Sequence, residues 1–296
     1  MNTTTVTNPR TKRSYRVDEQ IYETNRVWCG AGRDPELGEL FVKLLRYDPQ
    51  SDNANEIRAA ARKEADTMER AARCTTGIPK LYDHWDDKKG NVYVLVMQKM
   101  PGRDLRKWLD KRMSSRPDEK TIRVRSLILK QVAQTLMDIH NKIPGISHLD
   151  LKPQNVMIWF DDQQKHWKTA IIDFGTAAMD YSVRVGTYGY QSPEQRSRQN
   201  TIMGSGESKD VFSLGMMWYE LLTGIPAEDV YSEFERDRNN PGGEWKSRPS
   251  FPPEIQATDT GKRYNRMFEK MTAFDPDKRP TLRDVVHGIS GGRKRR

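Results

Sequence analysis

The eight residues from His148 to Asn155 read H-L-D-L-K-P-Q-N and place an acid, an amine and an amide within one short loop. Asp150 can accept a hydroxyl proton, Lys152 can neutralise charge on a phosphoryl group, and Asn155 offers a neutral oxygen to Mg²⁺. Pro153 restricts the backbone between them. A polar turn with a proline gives a similar pattern, so this stretch alone suggests, without proving, a site for a hydroxyl, a phosphate and a metal ion.

Two further blocks follow in order. Ile171 to Gly175 reads I-I-D-F-G, in which an apolar run ends in a carboxylate and a glycine, as in a strand that delivers a metal ligand to a loop. Gly186 to Glu194 reads G-T-Y-G-Y-Q-S-P-E. Together the blocks resemble the catalytic loop, the metal-binding D-F-G and the end of the activation segment in eukaryotic-type Ser/Thr protein kinases. The resemblance covers roughly residues 15 to 290.

The resemblance implies an α+β, bilobal kinase-like fold, with a small β-rich N-lobe containing one main helix and a larger helical C-lobe. The lobe boundary is predicted at Pro101-Gly102, and a short activation segment is predicted from Thr176 to Glu194. The predicted regions are a flexible basic tail, a nucleotide-binding N-lobe, a catalytic and substrate-binding C-lobe and a second basic tail, at residues 1–13, 14–100, 101–290 and 291–296.

The bulk composition indicates a charged, water-soluble chain. Hydrophobic residues make up 35% and charged residues 31% of the 296 residues. No apolar run approaches the ~20 residues that a membrane-spanning helix needs, and the Thr-rich beginning lacks the apolar stretch of a secretory signal. The lack of such a run predicts no membrane partner. Cys29 and Cys74 are too few for a disulfide framework, which favours a reducing, cytoplasmic compartment.

The net charge of +9 raises the question of a nucleic-acid partner. Part of the excess lies at the two ends, in Arg10, Lys12, Arg13 and the run from Arg293 to Arg296. Because no nucleic-acid motif with interleaved aromatic residues is present, we expect spread surface charge and no nucleic-acid partner. The terminal basic run is an address signal, a phosphate-binding tail or a solvated end.

Lys43 lies in a short apolar run, where a lysine of an edge strand facing water gives the same pattern. The resemblance implies instead the lysine that holds the α- and β-phosphates of ATP, paired with a glutamate of the following helix. That helix is predicted over residues 54–73, which are rich in alanine. Glu64 aligns best with the glutamate of the pair, and Glu56 and Glu69 are its competitors.

The resemblance also implies an adenine pocket. Met97 takes the gatekeeper position, and Gln98 to Met100 follow the adenine edge, where backbone groups make the contacts. The nucleotide-binding set implied in this way is Lys43, Glu64, Val27, Phe41, Met97, Gln98, Met100 and Met157.

Five residues take the chemical roles in this family. Asp150 would orient a Ser or Thr hydroxyl and accept its proton, and Lys152 would steady the γ-phosphate. Asn155 and Asp173 would bind Mg²⁺. Thr187 resembles the threonine that bonds the catalytic Asp and Lys in Ser/Thr kinases.

Other residues are expected to support the loop. His148 invites assignment as a general base, but in this family it packs under the phenylalanine of D-F-G and bonds backbone. Asp210, at the start of an apolar helix, is expected to hold the backbone of the catalytic loop. Arg279 matches the arginine that pairs with Glu194 of S-P-E.

The sequence departs from the family pattern in three places. Gln20, Tyr22 and Asn25 stand where the phosphate loop has glycines, so the loop is rebuilt with side chains or binds nucleotide weakly. Phe41 replaces a small alanine and should crowd the adenine. Leu149 replaces the arginine that reads a phosphate on the activation loop, so we expect activity to depend little on that phosphate.

Two classes of function remain open at this point. An active Ser/Thr protein kinase, with ATP, Mg²⁺ and a protein substrate, is favoured by the complete set of catalytic residues. A pseudokinase that acts as a binding scaffold is favoured by the altered phosphate loop. A small-molecule phosphotransferase of related fold is weaker, because such enzymes lack the S-P-E segment and the equivalents of Asp210 and Arg279.

Overall fold

The computed structural model describes residues 4–111, 117–143, 145–175, 186–196, 205–234, 247 and 249–291. The predictions for the activation segment between residues 176 and 185, and for the C-terminal tail beyond Gly291, lie outside these residues. The chain divides into two compact units, Met1–Pro101 and Gly102–Arg296. The first is rich in strands and the second in helices, so the predicted α+β class is confirmed.

The first unit contains a five-stranded antiparallel sheet in the order β3-β4-β5-β7-β6, a separate hairpin β1-β2 and one helix. In its described part the elements are β1 (Thr4–Thr7), β2 (Ser14–Val17), β3 (Glu19–Glu23), β4 (Val27–Asp34), β5 (Gly38–Arg46), α1 (Ala54–Ala72), β6 (Leu81–Asp87) and β7 (Val92–Gln98).

Strand β5 shows how the sheet presents its two faces. Leu40 and Val42 are fully buried in a core with Trp28 and other apolar residues of the sheet and with Tyr15 of β2. Side chains alternate along a strand, so Phe41 and Lys43 lie together on the opposite, partly exposed face. Helix α1 buries an apolar stripe at helical spacing that includes Ala61, Ala65 and Met68, and Glu64 lies in this buried stripe.

Residues 4–13 differ from the expected flexible tail. β1 pairs with β2 over the register Thr4↔Val17 to Thr7↔Ser14. Between these strands, Asn8 is buried and its Nδ2 donates to both carboxylate oxygens of Asp83, at 2.9 Å each. The run of threonines with one valine favours a strand, and a partner distant in the sequence holds it in place.

The second unit contains a three-stranded sheet in the order β10-β9-β8 among helices. Its described elements are β8 (Arg103–Asp104), α2 (Leu105–Asp110), α3 (Glu119–Lys142), β9 (Val156–Asp161), β10 (His166–Ile171), α4 (Pro193–Arg196), α5 (Gly206–Thr223), α6 (Ala227–Phe234), α7 (Pro253–Gln256), α8 (Asp259–Met271) and α9 (Leu282–Ile289).

Helix α5 forms the centre of this unit and is buried from Lys209 to Leu222. A helix that is apolar on nearly all sides belongs inside a core. It begins where the side chain of Ser205 accepts a hydrogen bond from the Ser208 N–H, and it ends at Gly224, whose φ of 75° suits glycine. No helix in the described parts of the chain is long and apolar enough to cross a membrane.

Candidate active site

Three predicted catalytic residues form one hydrogen-bonded network in the second unit. Thr187 Oγ1 donates to Asp150 Oδ1 at 2.7 Å, and Lys152 Nζ donates to Thr187 Oγ1 at 2.7 Å. Lys152 Nζ also lies 3.0 Å from Asp150 Oδ2. The threonine contact expected from the resemblance is therefore confirmed. The network fixes the carboxylate of Asp150 and leaves it partly exposed to solvent.

Asn155 lies at the end of the same loop, in a short 3₁₀ turn, Pro153–Asn155. Its Nδ2 donates to the carbonyl oxygen of Asp150 at 2.9 Å and approaches Asp150 Oδ2 at 3.3 Å. The amide is thereby oriented, and its Oδ1 accepts no hydrogen bond from any described residue. An oriented amide oxygen of this kind is a suitable ligand for Mg²⁺.

Asp173 is brought to the same part of the unit by strand β10. The N–H of Ile172 donates to the carbonyl oxygen of Asn155 at 2.9 Å, which ties the start of D-F-G to the catalytic loop. Asp173 itself has a φ of 64°, a left-handed conformation that Asp tolerates better than most residues. One amide and one carboxylate fit Mg²⁺, because this ion keeps water and substrate phosphates as its other ligands.

Asp210 holds the catalytic loop from beneath, as expected. Its two carboxylate oxygens accept the backbone N–H groups of His148 and Leu149, both at 2.9 Å, and the side chain is fully buried. His140 Nε2 lies 3.1 Å from the same carboxylate. Burial by itself lowers the pKa of His140, but the hydrogen bond and the charge of Asp210 outweigh it and raise this pKa above its ordinary value. Sequence reasoning missed His140.

The structural role predicted for His148 is confirmed. Its Nε2 lies 3.1 Å from the carbonyl oxygen of Ile172, and its ring meets the ring of Phe174 edge-on at 5.0 Å between centroids. The histidine therefore links the catalytic loop to D-F-G through a hydrogen bond and a ring contact, which is a structural role.

Leu149 takes the position where the resemblance implied an arginine, and the structure shows which contacts hold it. Leu149 is buried with a φ of 63°, an uncommon conformation for a bulky residue. Its carbonyl oxygen accepts a hydrogen bond from Gln195 Nε2 at 3.1 Å. Gln195 Oε1 in turn accepts from the N–H and the hydroxyl of Ser192, at 3.0 and 3.1 Å. Gln195 was not predicted, because nothing in its sequence context marks this bridge.

The buried ion pair between Glu194 and Arg279 is also confirmed. The guanidinium meets the carboxylate with two parallel contacts of 2.6 and 2.8 Å, and the two side chains are only 1% and 0% exposed. Arg279 also donates to the carbonyl oxygens of Ser208, Ala273 and Phe274. Such bidentate pairing with further hydrogen bonds is what a buried charge pair requires.

In the first unit, Lys43 Nζ lies 2.7 Å from Glu64 Oε1, and both side chains are largely buried. The predicted pair is confirmed. β5 lies between β4 and β7 in the sheet, so the edge-strand interpretation of Lys43 is wrong. Glu56 is exposed, and Glu69 pairs at the surface with Arg73. Neither competitor contacts the lysine.

The β3-β4 hairpin replaces the glycine-rich loop. Gln20 Oε1 accepts a hydrogen bond from Trp28 Nε1 at 3.0 Å, and the register shifts between Gln20 and Tyr22. Tyr22 is 55% exposed. At the tip, Arg46 donates to the carbonyl oxygen of Thr24 at 2.8 Å and to Glu23 at 2.5 Å. Side-chain hydrogen bonds therefore hold the hairpin in the stretch where the resemblance implied glycines.

The residues predicted to contact adenine lie on several elements. Val27 begins β4, and Phe41 on β5 lies directly opposite Met97 on β7. Gln98 ends β7 and Met100 follows it, buried. Met157 belongs to β9 of the second unit, opposite Ala170 and Asp104. The proximity of Phe41 and Met97 within one sheet agrees with a shared surface for the two side chains.

The family of the chain follows from a comparison with known protein families. The model described as "Protein kinase domain" matches residues 35–288, which is most of the chain. The chain belongs to the protein kinase domain family. The predicted family is therefore confirmed.

Two curated relatives illustrate the similarity. "Serine/threonine-protein kinase D" of Synechocystis sp. is 28% identical over 266 residues, covering 84% of this chain and 46% of the relative. "Probable serine/threonine-protein kinase PknB" of Corynebacterium glutamicum is 32% identical over 232 residues, covering 74% of this chain and 33% of the relative. The chain thus spans between one third and about half of the length of these proteins.

A solved structure shows the same fold. The kinase domain of Mycobacterium tuberculosis PknI, crystallised as a C20A_R136A double mutant, matches with a TM-score of 0.64 at 18% identity, and the match covers 94% of each chain. The kinase-like fold is therefore confirmed over nearly the whole chain.

Proposed function

We propose that this chain is an ATP-dependent protein kinase that transfers the γ-phosphate of ATP to Ser or Thr hydroxyls of protein substrates. The network of Asp150, Lys152 and Thr187, with contacts of 2.7, 2.7 and 3.0 Å, carries this proposal. Phosphoryl transfer depends mainly on positioning and charge neutralisation. A carboxylate fixed beside an ammonium group supplies both.

Asp150 is the proposed base, and its Oδ1 is the proposed acceptor of the hydroxyl proton. Among the described residues, Oδ1 accepts one hydrogen bond, from Thr187, while Oδ2 faces both Lys152 and Asn155. A carboxylate oxygen has two lone pairs, so Oδ1 retains one for the incoming hydroxyl.

Lys152 would neutralise charge on the phosphoryl group as it moves. Because its ammonium group is already held by Thr187 and Asp150, little conformational freedom is lost when a phosphate arrives. Lys152 two residues after the base and Thr187 in the final activation segment both match the Ser/Thr branch of the family, which supports Ser or Thr as the acceptor.

Asn155 and Asp173 would hold Mg²⁺, which supplies neutralising charge for the phosphates when it is bound. The support for this assignment is the oxygen-only donor set and the oriented amide of Asn155. In the first unit, Lys43 would bind the α- and β-phosphates, with Glu64 fixing its ammonium group.

Nucleotide binding and catalysis are assigned to different units of the chain. We assign nucleotide binding to residues 14–100, with adenine contacts from Val27, Phe41, Met97, Gln98 and Met100. Catalysis and substrate binding belong to residues 101–290, which also contribute Met157. A reducing, cytoplasmic location is supported by the low cysteine content, since the sequence holds only Cys29 and Cys74.

The second candidate function is a pseudokinase that serves as a binding scaffold. The β3-β4 hairpin favours it, because Tyr22 and Gln20 carry side chains where backbone amides usually approach the phosphates. In this case nucleotide turnover would be weak or absent.

The deciding experiment measures transfer of the γ-phosphate from labelled ATP to a general protein substrate, followed by phosphoamino-acid analysis. We expect Mg²⁺-dependent labelling of serine and threonine that is lost in Asp150→Asn. No labelling above the level of Asp150→Asn would leave the scaffold as the function. Labelling mainly on tyrosine would contradict the acceptor assignment.

A further inference from the structure

A groove lies between helix α3 and the β9-β10 hairpin, within the second unit and separate from the catalytic loop. Its volume is about 820 Å³, which is the size of a site that holds several side chains. The residues that line it are Lys120, Val124, Leu127, Ile128, Lys130, Gln131, Gln134, Phe160, Lys165, His166 and Trp167.

The groove has an apolar floor that is open to solvent. Leu127 is 48% exposed and Phe160 is 42% exposed, both unusually high for large apolar side chains. Phe160 and Trp167 meet edge-on at 5.3 Å, and Trp167 meets Trp108 in the same way at 5.3 Å. These contacts hold the aromatic rings in place. A fixed, exposed apolar surface with polar edges is typical of a binding site.

The edges of the groove carry positive charge. Lys120, Lys130 and Lys165 line it, and no lining residue is a carboxylate. Asp162 at the hairpin tip lies 3.9 Å from Lys165, but both side chains are highly exposed, so this ion pair contributes little. The groove therefore favours a partner that brings its own carboxylates.

Two amide side chains at the base are oriented for recognition of a backbone. Gln131 Nε2 donates to the carbonyl oxygen of Trp167 at 2.7 Å, and Gln134 Nε2 donates to Asp138 Oδ1 at 2.9 Å. Neither Oε1 accepts a hydrogen bond from a described residue. Two oriented acceptors beside an apolar surface match the N–H groups of a peptide.

We propose that this groove docks a segment of a partner protein in which apolar side chains are flanked by Asp or Glu. The apolar side chains would cover Leu127 and Phe160, and the carboxylates would face Lys130 and Lys165. Nucleic acid satisfies the lysines and can stack a base on Phe160, but it offers no aliphatic side chain to cover the exposed Leu127. The proposal concerns binding alone and holds whether or not the chain transfers phosphate.

The test uses fluorescence anisotropy with the full chain and a fluorescein-labelled short peptide in which leucines alternate with glutamates and serines. We expect saturable binding that weakens with added salt. The double variant Lys130→Glu/Lys165→Glu and the single variant Leu127→Ser should each weaken binding by about ten-fold or more. The matched control is Lys262→Glu on α8, an exposed lysine outside the groove that should leave binding unchanged.

The most specific test reverses the charges on the peptide and on the protein together. A peptide with lysines in place of the glutamates should bind the double variant better than it binds the wild-type chain. Circular dichroism checks that the variants remain folded, and a peptide with serines in place of the leucines tests the apolar floor without altering the protein.

Four results would overturn the proposal. The double variant could keep full affinity for the acidic peptide, or the lysine peptide could bind the wild-type chain equally well. A single-stranded oligonucleotide could bind more tightly than the peptide and lose affinity in the double variant. Light scattering could show a dimer of the wild-type chain that Leu127→Ser dissociates, which would make a second copy the occupant.

Discussion

The catalytic loop and the β3-β4 hairpin would serve the same proposed reaction, yet they are held in different ways. The loop is fixed by a buried carboxylate, Asp210, that accepts two backbone N–H groups. The hairpin is fixed near its surface, where Arg46 and Glu23 are about 38% and 42% exposed. Buried polar contacts are costly to break, whereas exposed ion pairs contribute little. The loop should therefore tolerate little change, and the hairpin should tolerate much more.

The largest expected effect is in the loop itself. Asp150→Asn removes the proposed proton acceptor and should lower the transfer rate by about 10³-fold, while ATP still binds. Asp173→Ala should abolish transfer as well, but through loss of Mg²⁺-dependent nucleotide binding. Steady-state rates and calorimetric titration with ATP, with and without Mg²⁺, separate the two effects.

The matched control for this pair is Asp161→Asn, since Asp161 lies at the tip of the β9-β10 hairpin, away from the loop. Its rate should equal that of the wild-type chain. Full activity in Asp150→Asn or Asp173→Ala would refute the assignment of the altered residue.

Removing the carboxylate of Asp210, which holds the backbone of the catalytic loop, should cause the next largest effect, a loss of stability. Asp210→Ala leaves the N–H groups of His148 and Leu149 without a partner inside the core and also deprives His140 of its carboxylate. We expect the free energy of unfolding to fall by roughly 4 kcal/mol. Urea denaturation measures this change. A loss below about 1 kcal/mol would show that the loop keeps its conformation without Asp210.

A second buried network near the activation segment predicts a dependence on pH. Tyr190 donates a short hydrogen bond to Glu220, and Arg106 Nε lies 2.9 Å from Glu220 Oε1. Burial raises the pKa of Glu220 from 4.5 to about 7, against the lowering effects of Tyr190 and Arg106. Burial also raises the pKa of Tyr190, so its hydroxyl stays protonated and keeps donating.

The raised pKa of Glu220 determines whether stability rises or falls with pH. The unfolded carboxyl group loses its proton near pH 4.5, whereas the folded one keeps it until about pH 7. The stability contributed by Glu220 is thus fully present below pH 4.5 and is lost as the pH rises through about 7. Relative to Glu220→Gln, the wild-type chain should lose up to roughly 3 kcal/mol over this range. Urea denaturation of both proteins at several pH values measures the difference, and parallel curves would contradict it.

A smaller effect is expected at Gln195, which joins the loop to the S-P-E segment. Gln195→Glu keeps the shape but removes the Nε2 donor that Leu149 uses. We expect kcat to fall by about ten-fold, or 1.4 kcal/mol, with KM for the protein substrate unchanged. Complete dephosphorylation of the wild-type chain should leave its rate nearly unchanged, because neither Leu149 nor Gln195 is a cation that reads a phosphate.

Dephosphorylation and the Gln195→Glu substitution test different statements, and each has its own contradicting outcome. A large rate loss after dephosphorylation would show that some cation does read the activation loop. An unchanged rate in Gln195→Glu would show that the bridge positions nothing.

The sequence predicted the contacts that the family's motifs mark, whether near or distant in the chain, and missed contacts that no motif marks. Lys43 reaches Glu64 and Arg279 reaches Glu194 as the family pattern implies, although the second pair lies 85 positions apart. The bridge from Gln195 to Leu149 joins residues far apart in the chain. A lone glutamine has no periodicity or spacing that signals such a contact, so only the folded structure shows it.

The beginning of the chain illustrates the same limit. A stretch of threonines with a single valine has too little apolar surface to predict burial. It is ordered because Asn8 and Tyr15 both bond Asp83, which lies on β6. Asp83 is far from this stretch in the sequence, so the residues of the stretch alone do not predict the contact.

The smallest effect is expected in the β3-β4 hairpin. Tyr22→Gly restores a glycine of the family pattern at an exposed position, and the bonds from Arg46 to Thr24 and from Trp28 to Gln20 remain. The greater freedom of glycine should cost about 0.5–1 kcal/mol of stability. We expect the Kd for ATP to change by less than about three-fold, since each ten-fold change requires about 1.4 kcal/mol. Gln20→Ala is the matched comparison, because it breaks the bond to Trp28 and should weaken ATP binding more than Tyr22→Gly does. A ten-fold tighter Kd in Tyr22→Gly would show instead that the tyrosine side chain keeps the phosphates away from the backbone, and the hairpin would then be as sensitive to substitution as the catalytic loop.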